Sequence, residues 1–489
     1  MASWVDNNTH GWVFHPSNSA DWRSLSGQCG GGPKFEGVLA VARSNRARTV
    51  VVENRYVDAD FRSNFSTFWS KRFDTVPQFC RRVHFFRRAL RDEQLHQLPA
   101  DPGYLGYSVL RPGPHADGHI GRTVLVPPAS LRLATLATID DEVSLFGNRL
   151  AVNGAPFSEQ DGEYLRCAHA AIWACHYGAF RRGLVGRQLT SDLVALTPAL
   201  LSAVRALPSP GMTLEQVQAV FAATGQPALL YWLNKMPRVP GVEEPRPSAR
   251  QALRPHGFWD TRLFSVICRY LNSGFPVMIA NATHAFVLVG WLRRGKRIRF
   301  VACDDQQRPY EVINSPFTDT RAPWLAMMIP LPPKVYLSGE MAETWGHRTF
   351  RELGAASGVT KAWGDLNQAL ATTPKDASLR TFLRDARDYK SRLTDQDRDA
   401  GVVRELRLAR LPHYVWVVEA HDRTARDAGK PSVIAEILFD PNSSDHLNRR
   451  PRSDAVSMPG LTVVTPPDGG KPVPVRYSER PWGSQLSSP

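Results

Sequence analysis

The stretch Thr-His-Ala-Phe-Val-Leu-Val-Gly-Trp, residues 283–291, decides how the middle of this chain is read. After the polar break Asn281-Ala-Thr283, a near-continuous apolar run opens at His284. It is far shorter than a bilayer span and reads as a buried strand. Phe275 to Ala280 before it and Ile298 to Cys303 after it share that character, giving three strands in succession. Helical spacing lies upstream, where Ala168, Ala171, Ile172 and Cys175 fall on one face of a helix running from Cys167 to Phe180. Thr213-Leu-Glu-Gln216 is a capping box that opens a second helix, ended by Gly225 and followed by a strand, Ala228 to Trp232. A further helix, from about Thr261 to Leu271, stops at Gly274. Helices first and sheet second predicts a segregated α+β domain over residues 151–340.

This order puts three reactive side chains at element ends. Cys167 opens its helix, where unpaired N–H groups favour a thiolate. His284 opens its strand, so the imidazole stands at a sheet end. Asp304 follows the next strand immediately, and antiparallel neighbours would bring it alongside His284. Acyl transfer through a thiol needs such a set: a nucleophile, a base, and a group that orients the base. Because the acid is doubled, Asp305 stays open as an alternative third member. A free cysteine inside an apolar helix is ordinarily core, which is the reading for Cys175. Trp173 reads as core or as lining of a substrate groove.

Cys-Ala-His-Ala-Ala-Ile-Trp-Ala (167–174), the stretch 283–291 and Val-Ala-Cys-Asp-Asp (301–305) resemble papain-like cysteine peptidases of the bacterial bacteriocin-processing type. The resemblance covers the middle of the chain and neither end. It implies a papain-like core in which the Cys-bearing helix packs on an antiparallel sheet. It implies a Cys167–His284–Asp304 triad acting through an acyl-enzyme on a protein or peptide substrate, with no cofactor and no metal. Peptidases of that type usually carry Gly-Pro after the Cys, where this chain has Ala168-His169. They place an oxyanion-hole Gln six residues before the Cys; here Asp161 holds that position and Gln160, one residue earlier, is the oxyanion candidate. A transglutaminase-like or deamidating thiol enzyme and a catalytically silent papain-like binding protein are the alternative readings.

Other chemistries fit less well. Cys167, His169, Cys175 and His176 offer soft zinc ligands, but i,i+2 and adjacent pairs on one helix point to different faces. No Gly-x-Ser-x-Gly elbow supports a serine enzyme. Six cysteines in 489 residues are too sparse for a disulfide scaffold. Met1 to Gly11 lacks an apolar signal region and no stretch is long enough to span a bilayer, so a cytoplasmic protein without membrane contact is expected. The net charge of +14 comes almost entirely from arginine, which suits carboxylates and phosphates. Arg81, Arg82, Arg87, Arg88 and Arg91 are interleaved with Phe79, Val83, Phe86 and Leu90 at helical spacing. That pattern predicts an amphipathic helix with a basic outer face, either simply solvated or open to an acidic or nucleic-acid partner.

The flanks are read as extensions. Residues 1–150 are expected to form an α+β accessory domain: loop to residue 46, a strand at Thr49 to Glu53, and helices between Phe61 and Leu98. Strands at Tyr107 to Leu110 and Arg122 to Val126 follow, then a hairpin from Val143 to Val152 around Gly147-Asn148. Residues 341–410 read as a charged helical linker, with Phe382, Ala386, Tyr389 and Leu393 at helical spacing. Residues 411–489 carry strands at 413–420 and 432–439 and then a proline-rich tail in which little regular structure is expected. Lone strands are marginal in water, so Thr49 to Glu53 and the C-terminal strands are expected to share one accessory sheet.

Overall fold

The computed structural model describes residues 11–73, 75–113, 118–197, 211–232, 257–294, 297–313, 324–355, 379–422, 425, 430–442, 451–458, 461–465, 471, 473–476 and 482–486. These residues are mixed α+β with antiparallel sheets. The chain divides into two units, one of residues 1–236 and 274–333, the other of residues 237–273 and 334–489. Among the described residues no helix is long and apolar enough to cross a membrane.

The first unit opens with β1 (Gly11–Phe14), α1 (Ser19–Gln28), α2 (Phe35–Ser44), β2 (Thr49–Tyr56) and α3 (Ala59–Thr67). The stretch expected to be loop therefore holds two helices. Asn18 starts the first by accepting from the Ala20 and Asp21 N–H groups, while the Asp21 carboxylate accepts from Asn18 N–H, a reciprocal cap. Strands β3 (Cys80–Phe86), β4 (Tyr104–Arg111), β5 (His119–Leu125), β6 (Thr135–Leu136), β7 (Ile139–Leu145) and β8 (Asn148–Phe157) follow. Among the described residues, seven strands form a sheet ordered β1-β2-β3-β4-β5-β8-β7. The expected hairpin is present, with Leu145 opposite Asn148.

The arginine-rich run is a strand, not a helix. β3 lies between β2 and β4, and all seven of its residues are buried. Arg81 donates to Cys29 O at 2.9 Å and Arg82 pairs with Glu53 on β2. Arg87, Arg88 and Arg91 remain exposed, so the five arginines do not share one basic face. A strand covered on both sides has no polar–apolar alternation to betray it. Neighbouring acids and carbonyls then compensate the buried guanidinium groups, which a sequence pattern cannot show.

The unit continues with α4 (Cys167–Arg181), α5 (Thr190–Ala195), α6 (Leu214–Ala223) and β9 (Ala228–Trp232). Thr213 and Gln216 form the expected capping box, and Gly225 after the helix has a φ of 80°. β10 (Val277–Ala280), β11 (Ala285–Arg294), β12 (Arg297–Cys303), β13 (Glu311–Ile313) and β14 (Ala326–Pro330) complete a second sheet, ordered β13-β12-β11-β10-β14-β9. β6 pairs with β11 at Gly290, where a Cβ would stand 2.5 Å from Thr135 O. The glycine of the 283–291 stretch thus admits a strand from the first 150 residues. Residues 1–150 accordingly belong to one unit with residues 151–236 and 274–333 and share one apolar core with them, in which α4 is packed against β7, β8, β10 and β11. Five buried alanines on α4 allow close approach, and Trp173, 1% exposed, fills the centre. Burying a large apolar side chain of this kind stabilises by about 2–3 kcal/mol.

The second unit contains α7 (Gly257–Asn272), α8 (Gly339–Ala355), β15 (Leu379–Asp385), α9 (Ala386–Ser391) and α10 (Ala400–Leu408). β16 (Tyr414–His421), β17 (Val433–Phe439), β18 (Ser453–Met458), β19 (Leu461–Val464) and β20 (Val473–Arg476) follow. Strands β15 to β20 pair in sequence order as an antiparallel meander. Two expectations change here. The region read as a helical linker contributes β15, so Phe382 lies on a strand, while residues 356–378 of it lie outside the described residues. The proline-rich tail supplies β18, β19 and β20; Pro474 sits on the last strand of the order, where a missing N–H costs no inner ladder bond. Thr49 to Glu53 pair with β1 and β3 in the first unit, and β16 and β17 pair within the second. No common sheet therefore joins them among the described residues.

Candidate active site

Cys167 is the first residue of α4 and is half-buried. The turn before it is built by Asp161, whose Oδ1 accepts from the N–H groups of Glu163, Tyr164 and Leu165 at 2.8–2.9 Å. That carboxylate is occupied in shaping the loop and is not directed to a substrate. His169, standing where the resembling peptidases carry proline, does the work of a cap. Its Nδ1 accepts from Arg166 N–H at 3.2 Å, which leaves Nε2–H to donate to Thr197 Oγ1 at 3.3 Å. Burial holds the His169 imidazole down at about 4, so the ring is neutral, as an acceptor must be. His176, hydrogen-bonded to Gln226 and Gly186 O, is likewise structural. Cys175 is 1% exposed, and burial pushes its thiol far above the ordinary value, as expected of a core residue.

His284 lies in the tight connection between β10 and β11. Asn281 closes this connection: its Oδ1 accepts from Thr283 N–H at 2.9 Å and from His284 N–H at 2.7 Å. Its own N–H donates to His284 O at 2.9 Å. The polar break in the sequence is thus the device that fixes the imidazole's backbone. Asp304 follows β12 directly, and β12 runs antiparallel beside β11 with Cys303 opposite Val287. Nε2 of His284 donates to Asp304 Oδ1 at 2.8 Å. The same oxygen accepts from Gln306 N–H at 2.9 Å, so the acid is itself oriented.

Nδ1 of His284 is buried and, among the described residues, completes no hydrogen bond. The Cys167 thiol is the ring's other neighbour and adds to its basicity. Burial works against the imidazolium, but the hydrogen bond to Asp304, the neighbouring Cys167 thiol and the charges of Asp304 and Asp305 outweigh it. The imidazole is raised from 6.5 to about 10. Phe286 stacks beside the ring with centroids 5.9 Å apart, and Trp324 meets Phe286 edge-on at 5.1 Å.

Asp305 is placed differently from Asp304. It is 4% exposed, and its Oδ1 is 3.8 Å from His284 Nε2. Among the described residues neither of its oxygens completes a hydrogen bond. Burial, reinforced by Asp304, pushes its carboxyl up to about 6, against the opposing pull of His284, Lys34 and the Gln160 backbone N–H. The carboxylate lines a small cavity under α4 together with Ala170, Ala171, Ala174, Phe286 and Cys303, with room for about one water.

The structure therefore brings Cys167, His284, Asp304 and Asp305 together. Gln160 is half-buried in the loop after β8, with its backbone N–H toward Asp305. The loop is pinned by Glu159, which pairs with Lys34 at 2.8 Å and accepts from Ile120 N–H at 2.9 Å. Lys34 lies more than a hundred residues away in sequence, and no local signal marked it; Asp161-Gly162 did carry a turn signal that could have been read as a side-chain cap. The ligand atoms of His284, Asp304 and Asp305 lie within 4.8 Å of one another. The ring nitrogen facing both acids donates its proton to Asp304.

No protein-family model and no curated protein sequence matches this chain.

Proposed function

We propose that the chain is a papain-like cysteine hydrolase, a peptidase or isopeptidase, with Cys167 as nucleophile, His284 as base and Asp304 as the orienting acid. One observation carries the reading. A single imidazole donates through Nε2 to a fixed carboxylate while its remaining nitrogen is left for a thiol at a helix start. In this reading α4 on the sheet β10–β14 is the papain-like core. The Sγ proton passes to His284 Nδ1 before attack, and the sulfur of the resulting thiolate–imidazolium pair adds to the substrate carbonyl carbon. The oxyanion is met by the Cys167 backbone N–H, and the Gln160 side chain supplies a second donor. The imidazolium returns its proton to the leaving amine as the C–N bond breaks, leaving a thioester. A water, deprotonated by His284, then attacks that thioester and restores the thiol.

Incubation of the full chain with a mixed peptide library, followed by mass spectrometry, tests this reading. New termini at defined positions, absent with Cys167→Ala, are expected. Cleavage that persists in Cys167→Ala would overturn it, and release of ammonia or new cross-links without cleavage would move the activity to deamidation or acyl transfer.

A further inference from the structure

We propose that Asp305 is a second acid of this site, a positioning residue whose buried carboxylate, 3.8 Å from His284 Nε2, holds the imidazole in its charged form from the side opposite solvent. The proposal rests on the thiol–imidazole reading above and adds to it a residue that the triad does not require.

The geometry separates the two acids by role. Asp304 makes the directional hydrogen bond and is tied into its own turn. Asp305 makes no such bond, although it is the more buried of the two, at 4% against 18% side-chain exposure. A carboxylate buried this deeply is unfavourable for folding unless a charge or hydrogen bonds compensate it. Here the compensation is a charge, 3.8 Å away on His284. The groups that face Asp305 from the surrounding elements are His284 before β11, Asp304 beside it and Lys34 before α2. The Gln160 N–H after β8 completes the set. Cys303 and the α4 alanines close the cavity side and offer no charge.

A functional consequence follows for proton linkage. The Asp305 carboxyl is raised from 3.8 to about 6, so its ionisation opposes folding: the penalty is absent at low pH and grows as pH rises to about 6. It then persists at neutral pH. Ionised Asp305 is thus costly to the fold and useful to the imidazolium, and below about pH 6 the site loses the second negative charge.

Asp305→Asn in the full chain tests this with two readouts taken together. Thermal unfolding near neutral pH reads the penalty, and the rate at which iodoacetamide alkylates Cys167, followed by peptide mapping across pH, reads the imidazole. Asn is expected to raise the thermal midpoint by a few degrees. It is expected to lower the upper limb of the alkylation profile by about one pH unit while leaving the rate near neutral pH close to wild type. A lowered midpoint with an unchanged profile would make Asp305 a structural residue and overturn the inference. A profile and midpoint both equal to wild type would also overturn it. The underlying reading fails separately: there, wild-type Cys167 would react no faster than its His284→Ala variant.

Discussion

Replacing Asp304 by Asn removes one carboxylate charge and turns the acceptor that faces His284 Nε2 into an amide. The imidazole stands raised from 6.5 to about 10 in the folded protein. That difference is worth about 5 kcal/mol of interaction in favour of the imidazolium. Burial opposes the charge, and Asp304 contributes twice to overcoming it, by its hydrogen bond and by its charge. Loss of both is expected to lower the His284 titration midpoint by about two units, a change of roughly 2–3 kcal/mol. The sign carries over to stability. A folded-state value above the unfolded one contributes stability that is complete below about pH 6.5 and is lost as pH rises through about 10. The variant should therefore show a shallower loss of stability across that window than wild type. Histidine-selective ¹⁵N NMR, with His284→Asn to assign the resonance, reads the midpoint directly. Turnover should fall by about 10³–10⁴, because an amide neither steadies the imidazolium nor fixes the ring orientation that presents Nδ1 to sulfur. A His284 midpoint unmoved by Asp304→Asn would refute this reasoning, whatever happened to activity.

Three further outcomes follow from the same contacts. Cys175→Ala should cost about 1 kcal/mol in denaturant unfolding and leave hydrolysis intact, because the thiol is core. Asp161→Ala removes the acceptor of three loop N–H groups and should cost about 2 kcal/mol; it should also slow Cys167 chemistry by displacing the turn that leads into α4, read as a lower kcat. Gly290→Ala forces a methyl group against Thr135 O and the Leu136 side chain, and should destabilise by about 1–3 kcal/mol, measured as a lowered thermal midpoint.

Much of the site was legible because its residues sit at element ends that local chemistry marks. Asn281-Ala-Thr283 announced the turn that carries His284, Cys303-Asp304 the end of a strand, and the alanine-rich run the helix behind Cys167. Other parts were not legible, for physical reasons. Phe79, Val83, Phe86 and Leu90 satisfy helical spacing, yet β3 is buried on both faces, and the distant Glu53 carboxylate and Ser144 carbonyl show why Arg82 can lie inside. The prolines of the C-terminal stretch argued against strands, but Pro474 sits on the outermost strand of the described sheet. The two acids looked equivalent in sequence. Their division came from the turn that hands Asp304 to Nε2 and sends Asp305 into the cavity. Lys34, which braces the loop through Glu159, is a tertiary contact with no local trace.

The most direct test of the thiol–imidazole pair uses an activated acetyl ester, p-nitrophenyl acetate, with the full chain and its Cys167→Ala and His284→Ala variants. Stopped-flow absorbance reads nitrophenolate release, and mass spectrometry of the quenched protein locates the acetyl group. The account predicts a burst approaching one equivalent, an acetyl group on Cys167, and loss of the burst in both variants. Acetylation mapped to another residue, or a burst on Cys167 that survives His284→Ala undiminished, would contradict it.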